Sequence, residues 1–257
     1  MLGRTHMATG LLISMATLPL MEKINVPTVS MQAGLGHSQP IEDAVLWIGL
    51  GVVGSLIPDL DEFHSIATRK VEGLARIVLI LFFIWLGWQH GGFNVLTIAI
   101  ILVGVTTLFG GDMARKSAML MMAIALLLAG ILYDISLGGT FAFGMTLLAM
   151  WSAATSFGHH RTFTHSSLGL LLFGAGGQLA FGALHVGWLL IPVLLGYTVH
   201  LAADMVSGGV PLWWPIHWSK HERVGIRIVK TGSFADMGVG AASVVMAMML
   251  AVSYLHM

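Results

Sequence analysis

The stretch VGWLLIPVLLGYTVHLAAD, residues 186–204, decides how this chain must be read. It is apolar along most of its length, and a helix needs about 20 such residues to cross a bilayer core. Near its end it carries His200 and Asp204. These are four apart, so on a helix they lie on one face. Together they offer an imidazole and a carboxylate to one divalent cation. Ionisable groups in a membrane segment are costly to bury and point to function.

Working outward, similar runs recur. Nine windows qualify: 6–21, 42–57, 74–90, 94–110, 117–133, 140–157, 166–183, 186–204 and 237–255. Within lipid, a helix satisfies its own backbone polar groups. The expectation is an all-α, polytopic transmembrane helical bundle of about nine membrane segments, some short or re-entrant. Composition agrees. Only 9% of residues are charged and 56% are hydrophobic, against roughly 25% charged in soluble domains. The 32 glycines suit close helix packing. No linker, repeat or charge run divides the chain, so residues 1–257 are expected to form a single domain. The apolar stretch after Arg4 lacks a clear small-residue cleavage site and is read as a retained first helix. A net charge of zero argues against nucleic acid as a partner. With no cysteine, disulfides and thiolate metal sites are excluded.

The nine windows sort the basic residues. Arg4, Arg69, Lys70, Arg76, Arg115, Lys116, Arg161, Lys220, Arg223, Arg227 and Lys230 fall on one side of the bilayer, and Lys23 alone on the other. The positive-inside rule makes the first side cytoplasmic. Four polar groups reach that same side. His6 begins the first window, and Asp59 and Asp61 end the second within Ile57-Pro58-Asp59-Leu60-Asp61. His160, Arg161 and His165 follow the sixth window, and His200 and Asp204 end the eighth. A shared metal site is the expectation. Asp59 and Asp61 repel each other when both are ionised, unless a cation lies between them. Imidazole and carboxylate suit zinc, and manganese fits similar ligands.

Each group has a plainer reading. His200 and Asp204 could be an interhelical hydrogen-bonded pair. Asp59 and Asp61 could sit in a solvated loop, with Asp61 capping a helix that follows. His165 could cap or hydrogen-bond at the membrane surface. Arg161 could be a topology charge, and His6 an incidental residue near an N-terminus. His37, His90, His185 and His256 map to the opposite face, whereas His64 and His159 have proximity alone in their favour. Trp213, Trp214 and Trp218 read as an interfacial aromatic belt. Asp112 reads as a loop charge.

In order along the chain come Arg4-Thr5-His6, Leu56-Ile57-Pro58-Asp59-Leu60-Asp61, His160-Arg161-Thr162-Phe163-Thr164-His165-Ser166, and Gly196-Tyr197-Thr198-Val199-His200 through Asp204, then Pro211 and Trp214-Pro215. This combination resembles the bacterial inner-membrane, LexA-regulated, membrane-bound metal-dependent hydrolase family (YdjM-like), over residues 3 to about 236. That family looks distantly similar to the zinc-dependent phospholipase C and P1 nuclease superfamily. The likeness implies phosphoester hydrolysis. It also implies His6, Asp59, His165, His200 and Asp204 as metal ligands, with Asp61 a ligand or base. In one departure, the family pattern has an acidic residue, usually Glu, shortly after a Gly-Ser pair near the C-terminus. Here Gly232-Ser233-Phe234-Ala235-Asp236 supplies the shorter Asp.

The functional expectation is therefore a metal-dependent hydrolase in the bacterial inner membrane, its site facing the cytoplasm. One to three divalent ions, zinc or else manganese, would activate water for attack. Asp61 is the expected general base, His160 an alternative acid or base, and Arg161 an anion binder. A site at head-group level suits a membrane lipid or lipid-linked phosphate substrate. Two rivals differ in kind. A transporter would place its ionisable groups near mid-membrane and favour inverted repeats. A scaffold would bind metal for stability alone.

Overall fold

A computed structural model describes residues 3–23, 40–61, 112–158, 161–216, 223–226 and 228–255. The described residues are helical, apart from connecting turns and an isolated bridge between Val210 and Val224. In chain order the helices are α1 (Gly3–Ala16), α2 (Leu18–Lys23), α3 (Pro40–Gly54), α4 (Asp112–Leu137), α5 (Gly139–Phe157), α6 (Ser167–Ala183), α7 (Leu190–Ser207) and α8 (Phe234–Leu255). Short 310 turns occupy Ile57–Asp61 and Gly187–Leu189.

Seven of the nine expected windows coincide with α1, α3, α4, α5, α6, α7 and α8. The windows 74–90 and 94–110 lie outside the described residues. Four helical stretches are long and apolar enough to cross a membrane: Lys116–Leu137, Gly139–Phe157, Gly187–Ser207 and Phe234–Tyr254. This corrects the expected nine to four full-length candidates among the described residues. The reason is length. Helix α1 has 14 residues, α3 has 15 and α6 has 17. At 1.5 Å per residue they reach roughly 21–26 Å, short of a hydrocarbon core of about 30 Å.

Helices α4, α5 and α6 pack in sequence, α5 lying between the other two. Helices α1, α3 and α7 all touch one another, and α8 lies along α1. The contact among α1, α3 and α7 is made by small residues, which let helix backbones approach closely. A Cβ on Gly196 of α7 would fall 2.0 Å from the Gly51 carbonyl of α3. A Cβ on Gly51 would in turn collide with the Ser14 hydroxyl of α1. Ser55, after α3, sits against Gly10 of α1.

Placement of the polar residues follows from this contact. His6 lies one turn before Gly10, Asp59 four residues after Ser55, and His200 one turn after Gly196. Because α1 runs antiparallel to α3 and α7, all three arrive at one end of the bundle. Residues 161–166, which lead into α6, border that end. Phe163 anchors them in a core with Trp151, Tyr197 and Leu201. Ser166 caps α6 by accepting a hydrogen bond from Gly169 N–H at 3.1 Å. Ser167 ties the start of α6 to the later loop, its backbone N–H and its hydroxyl both donating to the Leu212 carbonyl.

Candidate metal centre

Five ligand-type side chains from four segments meet at this end. His6 comes from α1, Asp59 from the 310 turn, His165 from the loop before α6, and His200 and Asp204 from α7. His6, His165, His200 and Asp204 are 0% exposed and Asp59 is 5% exposed. His165 Nε2 lies 3.2 Å from His200 Nε2, 3.4 Å from Asp204 Oδ2 and 3.8 Å from Asp59 Oδ1. His200 Nε2 lies 3.5 Å from Asp59 Oδ1 and 3.9 Å from Asp204 Oδ2. His6 Nε2 lies 3.3 Å from Asp204 Oδ1.

These spacings fit a cation. Ligand atoms about 2.1 Å from a tetrahedral zinc stand roughly 3.4 Å from one another. The His6–Asp59–His200 and His165–His200–Asp204 groups each bring three ligand atoms within 4.8 Å of one another. The Nε2 of His6 faces Asp204 Oδ1, and its Nδ1 makes no hydrogen bond among the described residues although the ring is fully buried. A buried polar atom left so costs about 1–3 kcal/mol. The donor set of imidazole and carboxylate suits zinc or manganese. The buried residues therefore fit a divalent metal ion.

Neighbouring groups orient the rings. His200 Nδ1 is 2.7 Å from the Ser55 carbonyl oxygen. A carbonyl can only accept, so Nδ1 carries the proton and donates. In the neutral ring this leaves the Nε2 lone pair directed at the cluster. His165 Nδ1 is 3.0 Å from the Thr164 hydroxyl. The Tyr197 hydroxyl donates to the Thr164 carbonyl, holding that residue from the other side. Such outer partners set the tautomer and aim of a metal-binding histidine.

Arg161 reaches the same carboxylate. Its Nη2 is 3.1 Å from Asp204 Oδ2 and donates to Oδ1 at 3.3 Å. Arg161 adopts φ 58°, a left-handed backbone that disfavours side chains by about 1–2 kcal/mol. Its side chain is 19% exposed, more open than any of the five ligand-type residues.

The other sequence expectations divide as follows. His160 lies outside the described residues, as does the side chain of Asp61, whose backbone belongs to the 310 turn. Asp236 is fully buried, but its Oδ2 accepts from Gly232 N–H at 2.8 Å. Its own N–H donates to the Ser233 hydroxyl at 3.3 Å. Ser233-x-x-Asp236 is thus a capping arrangement at the start of α8, a role the family comparison of that position did not suggest. The aromatic belt needs correcting at Trp214. Its ring packs edge-on to Phe163, centres 5.7 Å apart, against the core. Trp213 is exposed, and Trp218 lies outside the described residues. His185 stands at the C-terminal end of α6, away from His165. The contributions of the Ser55 carbonyl, Thr164 and Tyr197 were missed. The pairs Gly10-x-x-x-Ser14 and Gly51-x-x-x-Ser55 were their nearest sequence signal, since small residues one turn apart mark a close helix contact.

A search of curated proteins and a search of solved structures return no significant match. The sequence profile of one family matches residues 1–257, the whole of the chain. The chain belongs to the YdjM inner membrane protein family.

Proposed function

We propose that this protein is a membrane-embedded metal-dependent hydrolase that cleaves a phosphoester of a lipid or lipid-linked substrate at the cytoplasmic surface of the inner membrane. The observation that carries the reading is the convergence of His6, Asp59, His165, His200 and Asp204, five buried ligand-type residues from four separate segments. The sequence likeness to metal-dependent hydrolases, and more distantly to the phospholipase C and P1 nuclease superfamily, supplies the reaction class. The basic residues that the positive-inside rule assigns to the cytoplasm support the sidedness.

A divalent ion, zinc or manganese, would supply Lewis acidity for activating water and neutralising a phosphoryl oxygen. His6, Asp59, His165, His200 and Asp204 would hold it. Ser55 and Thr164 keep two of the rings aimed. Arg161, the most open group of the cluster, would bind a phosphate oxygen and steady Asp204. Asp61 would take the proton from the attacking water, with His160 as the alternative acid or base.

One observation favours a second reading, in which the metal only stabilises the fold. The five ligand-type residues are at most 5% exposed, and structural metal sites are closed where catalytic ones keep an open position. One experiment separates the two. The purified protein is assayed for bound metal by elemental analysis and for phosphate release from labelled phospholipid vesicles. Hydrolysis that is lost together with the metal in His200→Ala and Asp59→Ala supports the enzyme. Metal retained by the wild type, with no release from lipids or other phosphoesters, supports the scaffold.

A further inference from the structure

The connection between α7 and α8 folds back onto α7. The apolar span that contains α7 ends at Ser207, and the one that contains α8 begins at Phe234. Residues 208–233 fall outside every apolar window of the sequence. Yet Ile226 N–H donates to the Met205 carbonyl at 3.0 Å, and Val229 N–H to the Val206 carbonyl at 3.2 Å. Val224 pairs with Val210 in the isolated bridge. Gly225 permits the fit, because a Cβ there would fall 2.3 Å from the Met205 carbonyl oxygen. Met205 and Val206 belong to the last turn of α7. Ile226 and Val229 therefore lie at the depth of that turn, level with the end of a membrane span.

Side chains of an extended segment alternate between its two faces. Val229 turns inward and is buried with Ala203 against Val206 and Val239. Ile226 and Ile228 turn outward and are 70% and 73% exposed. Phe234, the first residue of α8, is 90% exposed. Large apolar groups gathered in this way mark a membrane or partner contact. Charge selects between the two. Arg4 and Lys230 are exposed at the same end, where the Thr5 hydroxyl donates to the Asp236 carbonyl and holds the start of α1 beside the start of α8. Among the acids whose side chains are described there, Asp59, Asp204 and Asp236 are all buried. Apolar side chains rimmed by positive charge complement acyl chains under anionic head groups.

We propose that Ile226, Ile228 and Phe234, with Arg4 and Lys230, form a docking surface for anionic phospholipid in the leaflet at this end of the bundle. The three apolar side chains sit among the upper acyl chains, and the two cations meet head-group phosphates. The surface rests on the membrane assignment alone, since none of its side chains belongs to the buried His and Asp cluster. The two are nonetheless neighbours. A Cβ on Gly208, at the foot of the connection, would fall 2.9 Å from Arg161 Nη1. Lipid held on this surface is thus retained near the most open group of the centre.

The chain has no cysteine, so Ile226→Cys and Ile228→Cys can each carry a single nitroxide. Ile131→Cys, on the exposed face of α4, serves as the lipid-facing reference. The full-length protein is reconstituted in vesicles of phosphatidylcholine and phosphatidylglycerol. Power saturation then compares access of oxygen with access of a water-soluble nickel chelate. Oxygen should exceed nickel at both positions, as at the reference. Nickel in excess of oxygen would place the surface in water and overturn the proposal. Low access of both reagents would mean that protein covers it, a second copy or another segment, and would overturn it equally. Spin-labelled lipids give a reading that needs no cysteine. The wild type should retain phosphatidylglycerol about fivefold over phosphatidylcholine, the scale of one basic residue at a membrane surface. Arg4→Gln combined with Lys230→Gln should abolish that preference. Equal retention of the two lipids by the wild type would overturn the anionic partner. Chelator-stripped protein should give the same results, so this surface and the metal centre fail independently.

Discussion

His165 and His200 meet nitrogen to nitrogen, Nε2 to Nε2, at 3.2 Å in a fully buried setting. His200 already donates its Nδ1 proton to Ser55, so in the neutral ring its Nε2 lone pair faces His165. A divalent cation between the rings would use both lone pairs. Binding of this kind stabilises the folded state by mass action, about 2.7 kcal/mol at a hundredfold excess over Kd. Chelation should therefore lower the melting temperature of the wild type in detergent. The same treatment should leave His200→Ala, already depleted of metal, nearly unmoved. Equal melting temperatures for wild type with and without chelator would remove cation binding as the explanation of the contact.

Part of this centre was legible in the sequence because its signals are local. His200 and Asp204 are four apart, and helical periodicity alone puts them on one face. Asp59 and His165 became candidates because the basic residues set the topology and sorted the polar groups to one side. What escaped depends on contacts with no mark of their own. The Ser55 carbonyl that orients His200 is backbone, which every residue possesses. The grip of Arg161 on Asp204 joins positions 43 apart through a left-handed backbone unusual for arginine. Hydropathy also overstated the spans: α3 and α6 are apolar enough, but their helices end early, at Gly54 and Ala183.

Tyr197 tests how far ring orientation matters. Its hydroxyl donates to the Thr164 carbonyl, and Thr164 in turn meets His165 Nδ1. Tyr197→Phe keeps the ring that stacks on Phe173 but leaves a buried carbonyl without this donor. The expected cost is about 1–3 kcal/mol of stability. Metal affinity should fall roughly 10–100-fold, the usual effect of losing an outer partner. A competition titration against a chromophoric chelator reads the second quantity. Unchanged affinity would show that His165 is positioned without Thr164.

Gly196 tests the helix contact that assembles the site. A methyl group there would lie 2.0 Å from the Gly51 carbonyl oxygen and 2.7 Å from the Ser55 nitrogen. Backbone atoms cannot swing aside as a side chain does, so α7 must move away from α3. Overpacking of this kind costs about 1–3 kcal/mol. The shift also carries His200 away from Asp59. Gly196→Ala should thus lose metal as well as stability, although no ligand is altered. Thermal unfolding and elemental analysis of the same preparation would show both. A variant of lower stability with full metal content would mean that the cluster tolerates a displaced α7.

Asp236 separates a helix cap from a metal ligand. The Asp236 carboxylate accepts from Gly232 N–H, and the Asp236 N–H donates to the Ser233 hydroxyl, so both contacts belong to the start of α8. The backbone carbonyl of Asp236 also accepts from the Thr5 hydroxyl at 3.3 Å, which ties the cap to the residue before His6. Asparagine preserves an acceptor oxygen and an N-terminal preference but removes the negative charge. If the residue is a cap, Asp236→Asn should keep its metal and lose only the favourable interaction with the helix dipole, about 0.3–1 kcal/mol. Ser233→Ala should cost more, about 0.5–2 kcal/mol, through loss of the cap acceptor. Metal loss in Asp236→Asn alone, with Ser233→Ala fully loaded, would instead assign the carboxylate to the cation.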